Sequence, residues 1–348
     1  MREFALMLVL SMPQVAAQQH KTCAPCHPKE AQGHAHTLMA RTLEPGGQAS
    51  ILGAHAELRL KLGGFSYRLY RAGGQDRYAV SDGASTMEGV VAWAMGQGAA
   101  GQTYVLERAG KLYESRVSFY NDIQGLDGTL GSPAGIPKNL AEAFGREMPA
   151  LSVTECFQCH AAEGPAAGAG PAKGSLAWTK SLVPGVQCEN CHKGAWKHAA
   201  ARSAGDVKTA RLAKLKDAST EEISDVCGAC HRTWSHIQLN GPRGVANVRF
   251  QPYRIVLSKC YDALDRRIGC TACHDPHNRP EGVAVSSDPA CLGCHTAKAG
   301  GGPVVKVCKV GTNRCASCHM PKFELPGSHF RFTDHFIRIA RPNETYPD

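Results

Sequence analysis

Long apolar runs are missing from this chain. No stretch of its 348 residues approaches the roughly 18 apolar residues of a membrane-spanning helix, which excludes a multi-pass helical membrane protein. Aromatic residues are scarce at 7 %, and charged ones reach only 20 %. What is plentiful is glycine (37), proline (20), cysteine (16) and histidine (16). Glycine and proline at this level signal many turns. The length allows one large domain or two to three ordinary ones, so a core can be buried. A reduced cytosolic enzyme has little use for so many thiols. The formal charge of +9 points at first sight to nucleic acid or an anionic surface, an inference that depends on what the cysteines do.

Fourteen of the 16 cysteines fall into seven copies of Cys-x-x-Cys-His. These are Cys23-Cys26-His27, Cys156-Cys159-His160, Cys188-Cys191-His192, Cys227-Cys230-His231, Cys270-Cys273-His274, Cys291-Cys294-His295 and Cys315-Cys318-His319. The pattern is the attachment signature of c-type haem. Two thiols three positions apart can form thioethers with both vinyl groups of one porphyrin, and the next residue offers an imidazole to the iron as proximal ligand. A zinc ribbon pairs half-sites and needs no His after each second Cys. A thioredoxin-like centre needs one motif. A disulfide scaffold has no preference for a following His; with His at about one residue in twenty, seven coincidences have a chance on the order of 10⁻⁹. The cofactor expected is covalent haem c with its iron, seven copies in all. Cys260 and Cys308 are left over, and a structural disulfide is the plain expectation for them.

Nine histidines lie outside the motifs: His20, His34, His36, His55, His198, His236, His277, His329 and His335. A low-potential electron carrier prefers a second imidazole on each iron, and nine suffice for seven irons. His34 or His36 follows the first motif on a helix expected to begin near Pro28, and His34 is the preferred ligand. His198 and His277 stand too close in sequence to their own proximal residues, so each is expected to reach a neighbouring haem. His329 and His335 lie in a tail without a motif, which ligation would give a reason to dock. His55 and His236 complete the distal candidates. His20 reads as a solvated terminal residue, and Met320 as a packing residue.

Residues 1–17 carry Arg2, an apolar stretch from Phe4 to about Met12 and the cleavage-like Val15-Ala16-Ala17, and read as a secretory signal peptide. Haem c is attached outside the bacterial cytoplasm, so export to the periplasm or beyond the cell is expected on that ground too. No membrane span remains after cleavage. Residues 18–55 form an N-terminal segment with the first haem. The cysteine-free residues 56–150 alternate polar and apolar side chains between Gly-Gly turns and read as a small antiparallel region, about five strands over 56–120, followed by a short helix near Pro137–Phe144. Residues 151–348 form a six-haem domain with about 30 residues per haem, too few for an ordinary side-chain core, so the porphyrins must supply much of it. Low aromatic content fits that. Ala161–Gly174 reads as a loop, Asp206–Lys216 as an amphipathic helix, and Ser219-x-x-Glu222 as a capping box. The fold class expected is mixed: haem-cored, mostly helical and loop-rich, with an inserted small antiparallel β region.

The stretches CAPCHPKE, GVQCENCHKGAWKH, RFQPYRIVLSKCYDALDRRIGCTACHDPH, CASCHMPK and HFRFTDHFIRI resemble the multihaem c-type cytochromes, in particular the cytochrome c-554-like group. The resemblance implies distal ligands after the first motif, after CHDP and in the tail, which here are His34, His277, His329 and His335. Two functions of different class are in view. The first is a heptahaem carrier moving electrons between redox partner proteins through closely spaced, mostly bis-His haems. The second is a multihaem oxidoreductase acting on a small nitrogen or sulfur compound at one open iron. The nitrite reductase pattern puts Lys in place of one proximal His, and all seven motifs here have His, which argues against that enzyme. Haem-based sensing or haem storage is a distant third. Each haem brings two propionates and, when ferric, one core charge, which turns +9 into about +2 oxidised and about −5 reduced. The basic sequence therefore makes no case for nucleic acid.

Overall fold

The computed structural model describes residues 22–133, 135–164, 170–206, 208, 211–278, 286–295 and 308–348. Residues 1–17, expected as a signal peptide, and His20 lie outside them.

Ten strands between Leu43 and Glu147 build one antiparallel sheet. They are β1 (Leu43–Pro45), β2 (Glu57–Leu62), β3 (Phe65–Ala72), β4 (Gln75–Ser81), β5 (Thr86–Met95), β6 (Gly101–Arg108), β7 (Lys111–Ser115), β8 (Val117–Tyr120), β9 (Gly125–Gly128) and β10 (Gly145–Glu147). The main order is β10-β7-β6-β5-β4-β3-β2; β1 pairs with β5, and β8 joins β6 to β9. Three hairpins close on two-residue turns with both residues at positive φ: Gly63-Gly64 (59°, 85°), Gly73-Gly74 (58°, 75°) and Ala109-Gly110 (50°, 75°). Such turns match the right-handed twist of the flanking strands.

The sheet is larger than the five strands expected over 56–120, and it makes "mostly helical" the wrong emphasis. The reason is local. β1, β9 and β10 are three or four residues long, two of them contain glycine, and none is long enough to show a period of two. The expected strand Lys111–Tyr120 is broken at Arg116 into β7 and β8, which pair with different parts of β6.

Alternation along β6 puts Tyr104 and Leu106 in one core and Val105 in the other. The first core also holds Leu58, Tyr67, Leu69, Tyr78, Val80, Phe119 and Phe144. The second joins Trp93, Val105, Leu112 and Met148 to Val153 and Phe157 of the helix Ala150–His160, with Trp178 beside them. Phe157 meets Trp93 edge-on at 5.8 Å, a favoured geometry for aromatic pairs. The second haem motif is thus riveted to the sheet.

Beyond Val186 the picture changes. The only buried apolar side chains among the described residues there are Ile223, Ile237, Val248, Tyr253 and Leu325. This half is a string of short helices, including Thr220–His231, Trp234–Asn240 and Gln251–Val256. The capping box is present: Ser219 accepts from the Glu222 N–H at 3.2 Å, and Glu222 accepts from the Ser219 N–H at 2.6 Å. Of the amphipathic helix expected over Asp206–Lys216, residues 207, 209 and 210 lie outside the described residues; the described remainder forms only a 3₁₀ turn, Leu215–Asp217, with Leu212 and Leu215 half-buried. The expected helix near Pro137 begins at Leu140, capped by the Asn139 side chain.

A tail after the last motif returns over Gln251–Val256. Arg254 donates to both oxygens of Asp334 at 2.9 and 3.1 Å and to the Pro347 carbonyl at 2.8 Å, with both ion-pair side chains fully buried. Ser258 accepts from the Ile337 N–H and donates to the His335 carbonyl.

Candidate haem-binding sites

Each motif sits on or at the end of a helical turn. The helices Ala150–His160, Thr220–His231 and Cys315–His319 finish on a motif histidine, while Cys188–Cys191 and Cys270–Cys273 hand over to His192 and His274 as the next residue. The same bond recurs in the turns: His27, His192, His274 and His295 each donate their backbone N–H to the carbonyl of the motif's first cysteine, at 2.7–3.0 Å. Residues three apart in such a turn are neighbours on one face, which brings both thiols to one side.

Three proximal histidines face a histidine from outside the motifs. Ring centres are 6.4 Å apart for His27 and His198, 6.0 Å for His192 and His277, and 6.2 Å for His274 and His335. An imidazole nitrogen binds a first-row metal at about 2 Å, so two rings on opposite sides of one iron have centres about 6 Å apart. The spacing fits a metal between the rings, and it is shared by three independent pairs.

The hydrogen bonds on the other nitrogen fit as well. Nδ1 of His160 lies 3.1 Å from the Thr42 carbonyl, that of His319 2.8 Å from the Arg338 carbonyl, and that of His335 3.0 Å from the Thr333 carbonyl. A carbonyl can only accept, so Nδ1 carries the proton and Nε2 is left bare for a metal. Burial pushes the His335 ring down to about 4, and burial lowers His160, His192 and His231 as well. All are held neutral, the ligating form. Thr42, Thr333 and Arg338 act through backbone carbonyls and so leave no side-chain signal in the sequence.

Cysteines of different motifs lie side by side. The Cys188 thiol interacts with that of Cys23, and burial together with Cys23 pushes it up to about 12. Cys159 interacts with Cys230 and approaches the Ala229 carbonyl at 3.8 Å. Cys227 interacts with Cys270, and Cys291 with Cys315. Cys191 lies near Cys230, and Cys273 near Cys291. The motifs therefore make one connected set, in which the fourth touches the second, third and fifth. The last two are also tied by Asp288, whose carboxylate accepts from the backbone N–H groups of Cys315 (2.8 Å) and Arg314 (2.7 Å).

The other expected ligands are placed differently. His34 is buried on the helix Pro28–Ala35, and His36 caps that helix. His55 packs on Phe119 at 5.3 Å. His236 accepts from the Arg232 guanidinium at 2.9 Å through Nε2. His329, in the left-handed region at φ 47°, holds Asp127 at 2.7 Å through Nε2 and packs against Tyr120. Cys260 and Cys308 are not bridged: Cys260 lies near Cys291 and Cys294, and Cys308 is exposed among its own neighbours Val310 and Gly311.

Comparison with known proteins agrees with this geometry. A family model described as cytochrome c554 and c-prime matches residues 138–193, and a doubled CXXCH motif matches residues 265–300. The chain is 24 % identical over 180 residues to the multihaem cytochrome MtrA of Shewanella baltica (strain OS185), covering 49 % of this chain and 44 % of that protein. Together these matches support a multihaem c-type cytochrome. The chain spans less than half the length of this curated relative. The fold of the chain matches the crystal structure of the outer cell wall cytochrome OcwA with a TM-score of 0.50 at 12 % identity, over 91 % of this chain and 78 % of that one. The Cys-x-x-Cys-His motifs and these matches support covalently bound haem c as the cofactor. No described helix is long and apolar enough to cross a membrane.

Proposed function

We propose that this protein is an exported heptahaem cytochrome that passes electrons between redox partner proteins in the periplasm or outside the cell. What supports the reading is the nearness of motif to motif, with thiols of successive motifs close enough to bias one another all the way from Cys23 to Cys315. Haem iron, cycling between ferric and ferrous, supplies the electron-accepting chemistry.

The chain's own part is placement. The 14 motif cysteines anchor the haem edges, and His27, His160, His192, His231, His274, His295 and His319 are the proximal ligands. His198, His277 and His335 are the distal ligands of the haems on His27, His192 and His274, a pairing supported by the ring spacings. Each distal residue arrives from another motif's neighbourhood or from the tail, so ligation itself locks neighbouring haems together. His34, His55, His236 and His329 are the further candidates.

Intact mass and EPR of the ferric protein test the reading. Seven haems add about 616 Da each, and a carrier shows low-spin signals throughout. A large high-spin fraction that responds to nitrite or sulfite would overturn it in favour of a multihaem oxidoreductase with an open iron.

A further inference from the structure

Two arginines at the junction of the second and fourth motifs have no acid to balance them. Arg232 directly follows His231 and lies close enough to Cys156 and Cys159 to bias their thiols. Arg249 stands beside it, its Nε enclosed by protein with no hydrogen-bond partner. Neither guanidinium forms an ion pair with a carboxylate among the described residues. The acidic groups nearest Cys156 are Glu114, already paired with Arg146, and Glu155. His236 accepts from Arg232 but is uncharged in that role.

Arg232 is exposed and Arg249 half-buried; a guanidinium keeps its proton even where burial and a like charge disfavour it, so the enclosed side of Arg249 favours an anion beside it. The backbone adds to the case. Arg232 holds φ at 64°, in the left-handed region that non-glycine residues rarely adopt, at the end of the helix Thr220–His231.

We infer that Arg232 and Arg249 form a carboxylate-binding site filled by a propionate of a haem at this junction. This rests on the proposed haem loading. The pair holds that propionate ionised and, by its positive charge near the iron, favours the ferrous state of that haem. A free oxyanion has the same chemistry, and the test separates the two sources.

Spectroelectrochemical titration of the holoprotein at pH 6 and pH 8, parent against R249Q, reads the effect. Intact mass of the parent is measured first, since a parent without haem c would overturn the proposed function rather than this site. Expected in R249Q is an unchanged haem count, a lower midpoint potential for one haem, and a new pH dependence of that potential as the released propionate titrates. R232Q, made independently, should shift the same haem in the same direction. Unchanged potentials in both variants overturn the proposal. So does a saturable optical change when sodium nitrite or sulfate alone is added to the parent and its loss in R249Q, because that assigns the site to a free anion.

Discussion

His335 shows how a single ligand is built from many small constraints. The Thr333 carbonyl fixes its tautomer, Ser258 holds its backbone, and Asp334 beside it is clamped by Arg254 and Arg338. Replacing His335 with Ala should convert one haem from low-spin to high-spin while the haem count by mass stays constant. An EPR spectrum identical to the parent's would remove His335 from the ligand set. Asp288 is a second residue with a measurable signature. Two backbone N–H bonds hold its carboxyl at about 2, below the ordinary 3.8. A lowered carboxyl stabilises the fold above its ordinary value and loses that contribution as pH falls toward about 2. The tie between the sixth and seventh motifs should therefore survive pH 5 and weaken below about pH 4, seen as rising amide exchange at Arg314 and Cys315. In D288N, which cannot accept both bonds equally, exchange there should be high at neutral pH.

Among the elements, the hairpins offer the cleanest test of backbone chemistry. Ala109 occupies a position where the other two turns have glycine. An alanine in the left-handed region costs about 1 kcal/mol, so A109G should raise stability by up to about that much, read as a higher thermal midpoint. Arg254 belongs to this scale because it joins the tail to the helix Gln251–Val256. Truncation to Ala strands Asp334 in a buried site with only Arg338 beside it, and should cost about 3 kcal/mol. A change under 0.5 kcal/mol would mean that the tail docks by other means. The turns, the capping box and the helix at Pro28 were legible in sequence because each is specified by residues within four positions of one another. The short strands β1 and β10 were not, because their partners lie elsewhere in the chain, and β9, though it pairs with the neighbouring β8, is too short and glycine-rich to show a period of two. Amphipathic spacing is a promise of burial, and over Asp206–Lys216 the described residues form only the 3₁₀ turn Leu215–Asp217.

For the molecule as a whole, the two halves differ in what holds them up. Residues 43–182 contain both apolar cores, while beyond Val186 only five large apolar side chains are buried among the described residues. Protein made without haem attachment should keep its sheet and lose most helical structure after Val186. Hydrogen exchange would show protection confined to roughly 43–182, and uniform protection would refute the haem-cored description. The Cys-x-x-Cys-His motifs were legible because covalent haem attachment demands residues close in sequence. Which histidines face one another was not, because such pairs form across long stretches of chain. His277 stands three residues from His274 and faces His192 instead.

The three facing pairs, His27 with His198, His192 with His277 and His274 with His335, overlap along the chain: each begins before the preceding one ends. With iron between each pair they act as interlinked clasps on a thread. A backbone cut anywhere from 27 to 335 then falls inside at least one clasp, and the fragments stay joined without any covalent bond across the break. A singly nicked protein should migrate as one species on a native gel and fall apart only when the axial bonds are broken by denaturant. The fold would then tolerate a single protease cut without coming apart.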